Sequence, residues 1–130
     1  MDVGCGNGRF SKWLSLNNNK VDGIDMSKVA INKAKTKHNL KAKFILEDFL
    51  RFKQNVPYDV IFFYNFSLFN TTEIPVKLAD KIKNVVKNSG IIFFIYSTNG
   101  TQGTKSGWLN KHPQNFRDFF MINNFVITKE

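Results

Sequence analysis

Three glycines fall within five residues, at Gly4, Gly6 and Gly8, just after Met1-Asp2-Val3 and just before an amphipathic stretch. Glycine recurs at that density where the backbone must turn sharply or lie open to an approaching group, because each missing Cβ adds conformational entropy that folding must overcome. Between a strand and a helix, such a turn leaves backbone N–H groups facing outward and suits a small-molecule ligand. A purely structural turn needs glycine too, so the cluster alone leaves both readings open.

The remainder of the chain alternates between two periods. Phe10, Trp13 and Leu14 stand at i, i+3 and i+4, which predicts a helix over residues 8–16 with all three, Trp13 included, in the core. Asn17-Asn18-Asn19 ends it, and residues 20–24 read as a short strand. Ser27 is the expected N-cap of a second helix, in which Ile31, Ala34 and His38 share a face and His38 is structural. Residues 43–46 and 60–64 are apolar runs of the kind found in strands covered on both faces. Leu78, Ile82, Val85 and Val86 predict a helix within 73–87, closed by Asn88-Ser89-Gly90. Residues 91–96 form the strongest strand, a polar loop runs to residue 112, a helix begins at Pro113, and residues 125–128 read as a last strand. Strand and helix alternating without repeat or linker predict one α/β domain over 1–130, Rossmann-like, with a mainly parallel sheet and helices on both faces. In such sheets ligands bind beyond the carboxyl ends of the strands.

Composition narrows the partners. A chain of 130 residues supports one core. The longest apolar run, residues 91–96, is too short to cross a bilayer. The lone Cys5 excludes an intramolecular disulfide and suits a reducing compartment, so a cytoplasmic location is expected. Two His and one Cys provide no metal-ligand spacing. The net charge of +9 raises the prior for nucleic acid. Sixteen of the nineteen cations are scattered lysines, however, in a chain rich in Asn, Phe and Ile, as codon bias in an AT-rich genome produces. The scatter favours a solvated helix face over a footprint for a polyanion.

Two acids follow predicted strands. Asp25 lies where dinucleotide folds place an acid on ribose hydroxyls, two carboxylate oxygens matching two vicinal donors. Capping the helix near Ser27 is its other reading. Asp48 follows the third strand, where it either accepts from an adenine amino group, with Met26 or Phe49 packing on the ring, or solvates a loop.

Taken in order, Asp2-Val3-Gly4-Cys5-Gly6-Asn7-Gly8, Val21-Asp22-Gly23-Ile24-Asp25-Met26-Ser27, Glu47-Asp48-Phe49, Tyr58-Asp59-Val60-Ile61-Phe62-Phe63-Tyr64 and Asn88-Ser89-Gly90-Ile91-Ile92-Phe93-Phe94 resemble the class I S-adenosylmethionine-dependent methyltransferases. The resemblance implies S-adenosyl-L-methionine as cofactor. It implies that Gly4, Gly6 and Gly8 line its methionine part, that Asp2 helps hold its ammonium, and that Asp25 binds the ribose. Met26 would contact adenine, Asp48 and Phe49 would recognise the adenine edge, and Tyr64 would face the methionine part and the substrate entrance. A nicotinamide cofactor fits less well, because the third glycine of that fingerprint comes five positions after the first, where this chain has Arg9. An acid beside the turn also opposes a diphosphate and favours a sulfonium and an ammonium.

Against the family pattern, the chain opens with the first strand already under way and has no counterpart of the antiparallel seventh strand, which predicts a domain partial at both ends. Tyr64-Asn65-Phe66-Ser67 lacks the Asn/Asp-Pro-Pro-aromatic pattern of many nucleic-acid amino-methyltransferases, and the overall cadence is closer to small-molecule members. Other readings are a non-catalytic cofactor-binding domain and, on the charge, an RNA methyltransferase. No catalytic residue is assigned. His112 is expected in solvent, Cys5 fits the turn as a small side chain, and Trp108 is a candidate substrate cover.

Overall fold

The computed structural model describes residues 1–16, 18–37, 42–71, 73–96 and 111–128. The predicted His38 contact, the role of Trp108 and most of the polar loop after residue 96 lie outside the described residues. Five parallel strands, β1 (Asp2–Val3), β2 (Asp22–Asp25), β3 (Lys43–Leu46), β4 (Tyr58–Tyr64) and β5 (Val86–Ile95), stand in the order β3-β2-β1-β4-β5. Between them run α1 (Arg9–Ser15), α2 (Lys28–Lys37), a 3-10 turn (Ser67–Asn70) and α3 (Val76–Val85), and α4 (Pro113–Ile122) follows. The order reverses between β1 and β4, and there a parallel sheet opens a crevice at its carboxyl end.

Register fixes the two faces. Val3, Ile24 and Phe63 pair across the sheet and join Leu78, Ile82 and Val85 of α3 and Phe116 and Phe120 of α4 in the main core. Asp2, Gly23, Phe44 and Phe62 lie on the opposite face, where Ile31 and Ala34 of α2 pack on Phe44 and Cys5. Helices on both faces of a parallel sheet are the expected class. Ser27 also caps α2 as expected, its Oγ accepting from the Ala30 N–H at 3.2 Å. Among the described residues no helix is long and apolar enough to cross a membrane.

Four expectations are corrected. Trp13 is 56% exposed, and the buried face of α1 is Ser11, Leu14 and Ser15. The helix sits low over Gly23, where an added Cβ would lie 2.8 Å from Ser11 Oγ, so small hydroxyl residues face the sheet. Phe10 and Trp13 stack on each other to one side, with Phe10 edge-on to Phe62.

Asn88-Ser89-Gly90 does not close a helix. The helix ends at Val85, Val86 starts the strand, and the three residues lie within β5 at a shift of register against Tyr58 and Val60. Gly90 is required there because a Cβ would lie 2.5 Å from Val86 Cγ2. The apolar runs of β3 and β4 are not covered on both faces, since Leu46 and Tyr64 are exposed, as are Ile91, Phe93 and Ile95 of β5. Residues 125–128 form no strand, although Phe125 packs edge-on to Phe120. An extended segment becomes a strand only with a hydrogen-bonding neighbour.

With β1 only two residues long, a side chain bridges the sheet below it. The Tyr58 hydroxyl donates to Asp22 Oδ2 at 2.6 Å, joining the starts of β4 and β2. Tyr58→Phe is expected to lower stability by about 1.5 kcal/mol, the worth of a hydrogen bond to a charged acceptor, as read from urea unfolding. A loss below about 0.3 kcal/mol contradicts that role for the bridge.

Candidate functional site

The carboxyl ends of the strands bring the predicted residues into a row. Asp48 follows β3, Asp25 ends β2, Gly4 follows β1 and Tyr64 ends β4, in the spatial order of the strands. Three strand spacings of ~4.8 Å make the row roughly 14 Å long.

The glycine turn is bound to β2 by its backbone. The N–H groups of Gly4 and Cys5 both donate to the Ile24 carbonyl, at 2.9 and 3.0 Å, and Gly8 N–H closes the turn on Cys5 O at 3.0 Å. All three glycines have positive φ, at 74°, 53° and 76°. Their surroundings differ. A Cβ on Gly8 would lie 2.7 Å from Phe44 Cζ, and one on Gly4 would lie 2.9 Å from Phe66 Cδ2. At Gly6 nothing stands within 4 Å, so the turn is open to an incoming group at that residue.

Asp25 does not itself cap α2, a task that Ser27 takes, but it orders the turn before that helix. Its Oδ1 accepts from Ser27 N–H at 2.8 Å, and its Oδ2 accepts from Gly6 N–H at 2.9 Å. One carboxylate thus ties the glycine turn to the start of α2. An ionised carboxylate has about four acceptor sites, so two remain for vicinal hydroxyls. Met26, next to it, is 70% exposed. Asp48 is half-buried, and its Oδ1 accepts from Leu50 N–H at 2.9 Å in a turn that the Asp48 carbonyl continues with Arg51 and Phe52.

Three predicted residues take positions that spacing alone did not reveal. Asp2 is 1% exposed beneath the turn, with Ser11 Oγ donating to its Oδ2 at 2.6 Å. Phe49 is 2% exposed, its ring set edge-on to Phe63 and Phe66 in the core. Tyr64 lies on the α1 face, stacked on Phe10 at 6.2 Å. Ser11 and Phe66 were missed. The signal for Ser11 was a serine at i−3 from Leu14 on the face opposite Lys12 and Trp13, whereas Phe66 over Gly4 is a contact across 62 residues with no local signature.

Burial pushes the Asp2 carboxyl above its ordinary range, against the Ser11 hydroxyl and the nearby amino terminus, which both favour its charge. A carboxyl shifted upward in the fold favours folding below its unfolded value near 3.8 and loses that contribution as pH rises through the folded value. At neutral pH, keeping Asp2 ionised in the fold is therefore a cost. Asp2→Asn, which can still accept from Ser11, is expected to raise the melting temperature at pH 7, with the gain shrinking as pH falls toward about 4. A lower melting temperature at pH 7 contradicts this. Burial, reinforced by Asp2 and Asp25, also pushes the Cys5 thiol up to about 12, so it is neutral and no nucleophile. His112 is exposed and caps α4, its Nδ1 accepting from Gln114 N–H at 3.2 Å. Among the described residues no cluster of His, Cys, Asp and Glu could hold a metal ion.

Residues 1–90 match a family profile described as "Methyltransferase domain". Among solved structures, the plantazolicin methyltransferase BpumL in complex with SAH is 32% identical over 72% of this chain and 36% of its own, with a TM-score of 0.61. A TehB-like SAM-dependent methyltransferase from Corynebacterium glutamicum is 22% identical, covers 94% of this chain and 60% of its own, and superposes with a TM-score of 0.67. A SAM-dependent methyltransferase from Clostridium acetobutylicum is 20% identical over 72% and 40%, with a TM-score of 0.61. The last two speak to the fold. The matched part of the chain spans about a third of the length of BpumL. No curated protein sequence matches the chain.

Proposed function

The chain belongs to the methyltransferase-domain family, with the class I S-adenosylmethionine-dependent fold, and on that premise we propose that it binds S-adenosyl-L-methionine across the carboxyl ends of β1 to β4 and serves methyl transfer to a small molecule. The observation that carries this reading is Asp25. Its carboxylate is held by Gly6 and Ser27 beside an open Gly6 and an exposed Met26, with acceptor sites left for a ribose. A dinucleotide would set a diphosphate over this turn, close to both Asp25 and the buried Asp2, and like charges repel.

Bound there, the cofactor supplies an electrophilic methyl group on a positively charged sulfur. The chain's residues then have distinct tasks. Gly6 gives the methionine part close access to the backbone, Gly4 and Gly8 hold the turn that presents it, and Asp2 acts on the ammonium through its field from beneath the turn. Asp25 takes the ribose and Met26 the face of the adenine. Asp48 takes the adenine amino group, and Phe49 contributes from its main chain, since its ring lies in the core. Tyr64 and Phe66 border the methionine end. The protein's contribution to the transfer is alignment of acceptor, carbon and sulfur.

With Cys5 protonated and His112 tied to α4, an acceptor that ionises on its own, such as a phenol or a thiol, fits this site best. The single buried thiol supports a cytoplasmic setting. Incubation with methyl-labelled S-adenosylmethionine and panels of phenols, thiols, amines and RNA tests the reading. Label is expected on a small molecule of the first two classes. Label on RNA, or cofactor binding with no transfer to any panel, contradicts it.

A further inference from the structure

Of the three lysines in α3, Lys77 and Lys83 are exposed, whereas Lys81 is half-buried. Its ammonium donates to the Phe52 carbonyl and stands 5.7 Å from the ring centre of Phe49 and 5.6 Å from that of Phe52. A lysine on the flank of a helix ordinarily lays its stem along the surface and leaves its charge in water. Folding it back over a carbonyl and two rings costs solvation and side-chain entropy. Burial pushes this ammonium below its ordinary range and the field of Asp48 opposes the push, so the charge and the Asp48 carboxylate feel each other.

The bond fastens the turn that follows β3. At the start of that turn, Glu47 N–H donates to the Asp25 carbonyl at 3.1 Å, tying it to the end of β2. Within it, the N–H groups of Arg51 and Phe52 both donate to the Asp48 carbonyl at 2.9 Å, and Leu50 N–H donates to Asp48 Oδ1. The next strand begins only at Tyr58, so the far end of the turn is held by side-chain bonds to α3 instead: Lys81 on the Phe52 carbonyl and Gln54 Nε2 on the Asn84 carbonyl at 2.6 Å. Phe52 therefore gives its N–H to Asp48 and receives Lys81 on its carbonyl, a path of two bonds from the helix to the acid. Asp48 Oδ2 accepts from no described residue and is the oxygen left for a ligand.

Resting on the reading that Asp48 takes the adenine amino group, we propose that Lys81 is a positioning residue for that contact. By holding Phe52 it fixes the turn that aims Asp48 Oδ2, and so sets the preference for a base bearing an amino group over one bearing a carbonyl. A carboxylate held at that position accepts from an amine and repels a carbonyl oxygen, and a turn free to drift by about 1 Å does neither well.

The probes are S-adenosylhomocysteine and S-inosylhomocysteine, whose bases differ by an amino group in the first and a carbonyl in the second, titrated calorimetrically into the full chain. Wild type is expected to prefer the first by about 50-fold. Lys81→Met keeps a long stem against the rings of Phe49 and Phe52 and suits a helix, but it lacks the donor. It is expected to bind S-adenosylhomocysteine about tenfold more weakly and S-inosylhomocysteine within about twofold of wild type. Lys81→Arg, which retains a charged donor, is expected to stay within about threefold of wild type for both. A second measurement needs no ligand: amide exchange at Leu50, Arg51 and Phe52 is expected to quicken by about fivefold or more in Lys81→Met and to stay near wild type in Lys81→Arg. An unaltered preference in Lys81→Met, whether affinity is unchanged or falls equally for both ligands, overturns the role of Lys81 alone. So does unchanged amide exchange, or a Lys81→Arg as impaired as Lys81→Met. Wild type that fails to bind S-adenosylhomocysteine, or binds the two ligands alike, overturns the reading of Asp48 on which the inference rests.

Discussion

Asp25→Ala is expected to weaken S-adenosylmethionine binding by about 100-fold, because two hydrogen bonds from hydroxyls to one carboxylate are worth about 3 kcal/mol together. The same substitution removes the acceptors of Gly6 and Ser27 N–H, so a stability loss of about 1–2 kcal/mol is expected alongside. The two effects separate cleanly by experiment. Urea unfolding reads the second, and calorimetric titration under conditions where both proteins are folded reads the first. If Asp25 only fastens the turn to α2, stability falls while affinity per folded molecule stays within about twofold of wild type. That result contradicts the ribose role and leaves the fastening role standing.

Gly8→Ala is expected to cost about 3 kcal/mol of stability, a large share of what a domain of this size commands. Alanine at φ 76° bears the strain of the left-handed region, and its Cβ would meet Phe44 Cζ at 2.7 Å and Ala34 Cβ at 3.0 Å. Phe44 is buried against α2 and has little room to retreat. Gly6→Ala provides the internal comparison, since it carries the strain of φ 53° but meets nothing within 4 Å. Its stability loss is expected to stop near 1 kcal/mol while cofactor affinity falls, the added methyl standing where a ligand approaches. Equal stability losses for the two variants contradict the division between a glycine required by packing and a glycine required by access.

The site was legible in the sequence wherever the signal was local. A glycine turn between strand and helix, an acid at the end of a strand and a serine cap each depend on neighbours within a few residues, and Gly4 to Gly8, Asp25 and Ser27 are placed as read. Asp2 and Phe49 were legible as positions, but their burial was not. A strand's period of two assigns a side chain to a face without saying what covers that face. Asp2 lies under α1 because Gly23 lets that helix descend, and Phe49 turns inward to the core rings of Phe63 and Phe66.

The missed elements have nonlocal causes. Helical spacing in α1 is satisfied by Phe10, Trp13 and Leu14 and equally by Ser11, Leu14 and Ser15, and only the gap over Gly23 selects the second set. Asn-Ser-Gly ends helices and also interrupts strands, and the registration of β5 on β4 decides for the strand. Residues 125–128 have the composition of a strand and, among the described residues, no strand beside them.

The central claim, that one small cationic cofactor lies across the ends of four strands, is tested most directly by titrating S-adenosylmethionine into the isotopically labelled chain and following backbone amide shifts residue by residue. Saturable changes at Gly4, Gly6, Met26, Asp48 and Tyr64, with a common dissociation constant and little change over residues 86–90 at the start of β5, are the predicted result. No saturable change at those five residues, or saturation confined to residues away from the carboxyl ends of the strands, contradicts the account.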